Sequence, residues 1–149
     1  MGLSSSFVGD LAELKKRGEL DGISSVIEIG AQQLSNALLR DIEATGRLFT
    51  LFGQPPRQLG EAKFQGFNNG LEHQPDDAPA SRSLWEGIGI RYSALDFDGH
   101  RDSIPIDLNH DAVPKRLKSH FDLAVNTVRR VVDLRTGDPK HLVSEFSFG

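Results

Sequence analysis

Val26-Ile27-Glu28-Ile29-Gly30 constrains this chain more than any other stretch. A β-branched run carries a single acid, stops at a glycine, and leads into Ala31-Gln32-Gln33-Leu34-Ser35-Asn36, where a helix-like spacing begins. Apolar character broken by one acid suits a strand covered on both faces, as in a parallel sheet. A strand followed directly by a helix is the first half of a βαβ unit. In open sheets of this kind small molecules bind outside the carboxyl ends of the strands.

The rest of the chain supplies further pieces of the same pattern. Phe7, Val8, Leu11 and Leu14 recur at helical spacing, and Gly18 marks that helix's end. Met1-Gly2-Leu3-Ser4-Ser5-Ser6 fits the N-myristoylation pattern, but so short a match recurs by chance and reads as an unstructured polar start. Leu34, Ala37, Leu38 and Ile42 step along one helical face towards an end at Gly46. Residues 53–82 are crowded with glycine, proline, asparagine and aspartate and read as an irregular loop insertion, either a surface excursion or a substrate lid. Phe49, Phe52, Phe64 and Phe67 favour a loop that packs against something. A short helix at 83–87 follows, then strands at 90–95 (ending on Asp96), 103–108 and 121–126, with a helical turn at 113–118. Pro105 argues for a peripheral place in the sheet or a bulge.

Composition removes several classes of function. A net charge of −4 gives no basic surface for nucleic acid. No apolar run approaches the ~20 residues of a membrane span. With no cysteine, disulfides and thiolate metal sites are excluded, and a cytoplasmic location is expected. Asp107, His110 and Asp111 lie close together, but no second ligand cluster with usable spacing accompanies them, so no metal is expected.

Three strands place a polar residue at their carboxyl end: Glu28 with Gly30, then Asp96, then Asn126. A glycine there lets backbone approach a ligand closely, and an acid after the second strand accepts both hydroxyls of a ribose. The pairing indicates an adenosine-containing cofactor. The Gly-x-Gly-x-x-Gly dinucleotide fingerprint, the phosphate-binding Gly-Lys-Ser/Thr loop and the Gly-x-Ser-x-Gly hydrolase elbow are all missing. Asp96 also lies far beyond the ~20 residues that separate glycine and acid in a dinucleotide fold.

On these segments (25–36, 92–99, 102–114 and 121–126) the chain resembles class I S-adenosylmethionine-dependent methyltransferases, and most closely a bacterial branch whose first strand reads much like Val-Ile-Glu-Ile-Gly-Ala-Gln. The resemblance implies an α/β fold with a Rossmann-like, mostly parallel sheet and flanking helices. It implies S-adenosylmethionine as cofactor, with Glu28, Gly30, Ala31 and Gln32 under its methionine part, Asp96 on the ribose, Asp107 and Leu108 beside the adenine, and Asn126 facing the reacting end. The acceptor would be a small molecule or a saccharide. Gln32 and Leu34 stand where relatives usually repeat glycine. After Asn126 the likeness stops. Residues 1–127 are therefore expected to be the front half of such a domain, and 128–149 a divergent or out-of-frame tail that supplies no further sheet. The inner strand's edge would then be exposed and open to self-association. The alternative is a non-catalytic fragment of this fold, or a partner-binding protein.

Overall fold

The computed structural model describes residues 2–100, 103–107, 110–112, 114–117, 120–126 and 131–140. A two-residue strand, Gly2–Leu3 (β1), precedes helix Ser5–Lys16 (α1). Ser4 caps that helix by accepting the Phe7 amide, and Gly18, at φ +78°, turns the chain away after it. Strand Ser25–Ile29 (β2) is followed by Gln33–Leu34 (β3), helices Asn36–Arg40 (α2) and Ile42–Leu51 (α3), and a hairpin of Phe67–Asn68 (β4) and Leu71–Glu72 (β5). Helix Arg82–Gly87 (α4) leads to strands Arg91–Asp96 (β6), Ile104–Pro105 (β7), Leu123–Asn126 (β8), Val131–Asp133 (β9) and Asp138–Lys140 (β10).

The main sheet runs β10-β9-β8-β2-β6-β7. Its four strands β8, β2, β6 and β7 are parallel, while β9 and β10 add an antiparallel hairpin. The architecture is mixed α/β, with a mostly parallel sheet and flanking helices. Taken across the sheet, the parallel strands come third, second, first and fourth in the chain, so their order reverses between β2 and β8.

Alternation along the strands divides the core. Val26, Tyr92, Ala94, Leu123 and Val125 join the helices' Phe7, Leu11, Leu48, Phe49 and Trp85 in the larger cluster. Phe7 meets the Trp85 ring edge-on at 6.3 Å. Ile27, Leu95, Ile106 and Phe121 form a smaller cluster on the other face. Asp122 ties β8 to the start of β2 by accepting the Ser24 amide at 2.9 Å and the hydroxyls of Ser24 and Ser25. The Ser24 amide first, then these hydroxyls, hold its carboxyl below the ordinary carboxylate range.

Four expectations need correction. The N-terminal segment is ordered: β1 pairs in parallel with β3, and Leu3 is fully buried. The helix expected from Leu34 to Gly46 is instead a strand and two helices. Leu34 belongs to β3, Ser35 caps α2, and Asp41 caps α3 by accepting the Ala44 amide. Gly46 lies inside α3, where packing against α1 outweighs the ~1 kcal/mol that glycine costs a helix. Ile42 is 67% exposed and faces solvent, not the core. Third, the irregular 53–82 segment contains the β4–β5 hairpin, closed by Asn69 (φ +51°) and Gly70 (φ +79°), the left-handed pair of a two-residue turn. The aromatic residues expected to pack there divide: Phe49, in α3, is buried, while Phe64 and Phe67, in the segment itself, are exposed and stacked edge-on on each other.

The fourth concerns the edge of β8, which is covered. Val131 and Val132 pair with Val125 and Ala124, and the turn to β10 is closed by Gly137, whose amide donates to the Asp133 carbonyl. Arg135 donates to both carboxylate oxygens of the buried Asp133, holding its carboxyl below the ordinary range. The sheet thus continues beyond Asn126, and its outermost parallel strand, β7, carries Pro105, as suits a sheet edge. No helix among the described residues is long and apolar enough to cross a membrane.

At Gly87 α4 packs tightly on the Phe49 side chain of α3: an added Cβ would lie 2.8 Å from the Phe49 ring. Gly87→Ala is expected to lower stability by about 1–3 kcal/mol through overpacking. A urea midpoint that falls at unchanged m-value would show it.

Candidate crevice at the carboxyl ends of the parallel strands

Parallel pairing brings the carboxyl ends of β8, β2, β6 and β7 to one edge of the sheet. Ile29 lies opposite both Leu95 and Asn126, and Asp96 lies opposite Pro105. Gly30, Asp96 and Asn126 therefore stand at one level, with Asp107 two residues past the end of β7. The reversal of strand order falls between β2 and β8, the switch point at which open α/β sheets form a ligand crevice. Leu108 lies outside the described residues.

The turn after β2 is held by three successive amides. Gly30, at φ +83°, donates to the Leu95 carbonyl at 2.7 Å. Ala31 donates to Asp96 Oδ2 at 2.9 Å, and Gln32 to Glu28 Oε1 at 2.6 Å. The Gln32 carbonyl accepts from the Ser81 amide, and the Gln32 side chain is itself buried. With these N–H groups engaged and two carboxylates behind them, the turn has no nest for a phosphate. It leaves the bare Cα of Gly30 and an acidic field, which favour a ligand carrying positive charge.

Glu28 holds this turn from beneath. Its side chain is fully buried on the helix-covered face, where Oε1 also accepts from Ser81 Oγ at 2.7 Å and Tyr92 Oη at 2.9 Å, and Oε2 from Trp85 Nε1 at 3.4 Å. No cation among the described residues pairs with it, and burial drives its pKa up, against hydrogen bonds from Ser81, the Gln32 amide, Tyr92 and Trp85. Burial, then the adjacent Glu28 charge, pushes the Tyr92 phenol up, which keeps it a donor. Glu28 thus acts on a ligand through the backbone of 30–32.

Asp96 is partly buried, and its Oδ1 accepts the Phe97 amide at 2.8 Å. Each Asp96 oxygen already takes one backbone N–H and keeps a second lone pair, which suits it to a pair of vicinal hydroxyls. Asp107 is organised separately: Oδ2 meets His110 Nδ1 at 2.7 Å, and its amide donates to Asp111 Oδ2. The fold brings Gly30, Ala31, Asp96 and Asn126 together at the sheet edge, and it places Glu28 and Gln32 behind the turn.

Phe97 escaped the sequence reading. It is 75% exposed beside Asp96, where it offers a flat apolar face. An aromatic directly after a strand-terminal acid, in an otherwise polar turn, was the available signal. Ser81, Trp85 and Tyr92 were also missed, since nothing in their spacing links them to Glu28. Comparison with known protein families, with curated proteins and with solved structures finds no match to this chain.

Proposed function

We propose that this chain is the cofactor-binding part of an S-adenosylmethionine-dependent methyltransferase, built on a Rossmann-like sheet. The observation that carries the reading is the turn of residues 30–32, whose amides are taken by Leu95, Glu28 and Asp96. A dinucleotide would bring its phosphates to amides already engaged and to two carboxylates. A sulfonium cofactor brings positive charge to the same place. The third-second-first-fourth order of the parallel strands is that of the front of a doubly wound sheet.

S-adenosylmethionine bound here would supply a methyl group activated on sulfonium sulfur. Gly30 admits the ligand close to backbone, Asp96 accepts the ribose hydroxyls, Phe97 covers the adenine face, and Asn126 stands at the level of the turn on the far side of β2. Glu28 and Gln32 fix the turn's shape. Titration calorimetry of the folded chain with S-adenosylmethionine and S-adenosylhomocysteine tests this, with NAD as the anionic comparison. Binding of the first two but not of NAD is expected. A well-folded chain that binds neither favours the non-catalytic, partner-binding alternative.

A further inference from the structure

A second cleft, of about 550 Å³, opens between the start of α2 and the inner side of the β4–β5 hairpin. Ser35, Asn36, Asn68, Leu71, Glu72 and His73 line it, and its volume is within the range of small-molecule sites. Hydrogen bonds fix its walls. Arg40 grips both Glu72 oxygens at 2.8 Å, Asn36 Nδ2 bridges the Lys63 carbonyl and Glu72, and Gln74 Nε2 donates to the Leu34 carbonyl. The cleft is therefore a standing feature of the hairpin's attachment.

Its chemistry narrows the ligand. No lysine or arginine is among the described lining residues, so nothing there compensates a phosphate or a carboxylate. The lining carboxylate, Glu72, is held below the ordinary range by Arg40, which neutralises it and leaves little attraction for a cation. The Asn68 amide and the His73 imidazole have no partner among the described residues, so a wholly apolar ligand would bury them unpaired. Leu71, 75% exposed, adds an aliphatic surface to the same lining. We infer that the cleft binds a neutral saccharide, whose ring presents hydroxyls at its edge and C–H groups on its face. This inference goes beyond the cofactor reading and does not depend on it.

Saturation-transfer NMR on the full chain tests it, with maltose, cellobiose and lactose as neutral probes and glucuronate and a hexose phosphate as charged ones. At least one neutral disaccharide should receive saturation, and the charged probes less. Asn68→Ala combined with His73→Ala should weaken that binding about tenfold, as loss of two hydrogen bonds implies. Both positions are exposed on the hairpin, and an unchanged melting curve confirms that the variant is folded. Asp96→Asn should leave sugar binding unchanged, which separates this site from the cofactor crevice. Silence from all three neutral sugars, preference for the charged probes, or full binding by the double variant would each overturn the inference.

Discussion

Glu28→Ala is expected to lower the stability of the fold by about 3–5 kcal/mol, roughly 10 °C in melting temperature for a chain of this length. The loss arises because Ser81 Oγ, Tyr92 Oη and the Gln32 amide would lose their shared acceptor; the two hydroxyls, 3.2 Å apart, can satisfy only one donor between them, which leaves the other hydroxyl and the amide buried without an acceptor. Trp85 Nε1 would lose a longer contact at 3.4 Å. Glu28→Gln keeps one carbonyl oxygen for those donors and is expected to cost only about 1–2 kcal/mol. Equal melting of the alanine variant and the wild-type chain would show that this cluster does not hold the fold.

Glu28 also gives a signed dependence on pH. Burial raises its folded pKa above the ordinary 4.5. Between those two values the native chain binds the proton that the unfolded chain has released, so stability falls as pH rises. The contribution is complete below the unfolded value and is lost as pH climbs through the folded one. Asp122 and Asp133 act in the opposite sense: their lowered values stabilise the fold above the unfolded pKa, and that contribution is lost as pH falls through the folded one. The difference between wild type and Glu28→Gln cancels those acids. In urea melts across a pH series it should decline with rising pH from 4.5 upward. A flat difference would contradict the placement of Glu28 in an uncompensated interior.

The second large effect is on ligand affinity. On the proposed cofactor reading Asp96→Ala removes the acceptor of two ribose hydroxyls, and hydrogen bonds to a charged group contribute about 1.5–3 kcal/mol each. Affinity for S-adenosylhomocysteine is therefore expected to drop about 100-fold or more. The same change frees the Ala31 and Phe97 amides and so loosens the turn. Asp96→Asn keeps one carbonyl oxygen for a backbone donor and separates these contributions, since it should retain the melting temperature yet lose most of the affinity. Undiminished binding by both variants would remove Asp96 from the site.

What the sequence disclosed follows from how local each determinant is. β2, β6 and β8 were legible because an apolar run ends on Gly30, Asp96 or Asn126, and both signals lie within a few residues. The break at Asp41 was not, because two short capped helices can share one apolar period and Ile42 happens to continue it. β9 and β10 escaped because they are antiparallel additions to a pattern read as parallel. Of the candidate crevice, Gly30 and Asp96 were named from strand-end chemistry alone. The Glu28 cluster was out of reach, since its hydroxyl partners lie 53 and 64 residues further along the chain. Only tertiary structure shows that an acid in such a strand is held by donors behind the turn.

Amide shifts followed during titration with S-adenosylhomocysteine test the cofactor crevice most directly. The largest shifts are expected at Gly30, Ala31, Asp96, Phe97 and Asn126, with little change on the β4–β5 hairpin. Shifts confined to other parts of the fold, or none at saturating ligand, would contradict a cofactor site at the carboxyl ends of the parallel strands.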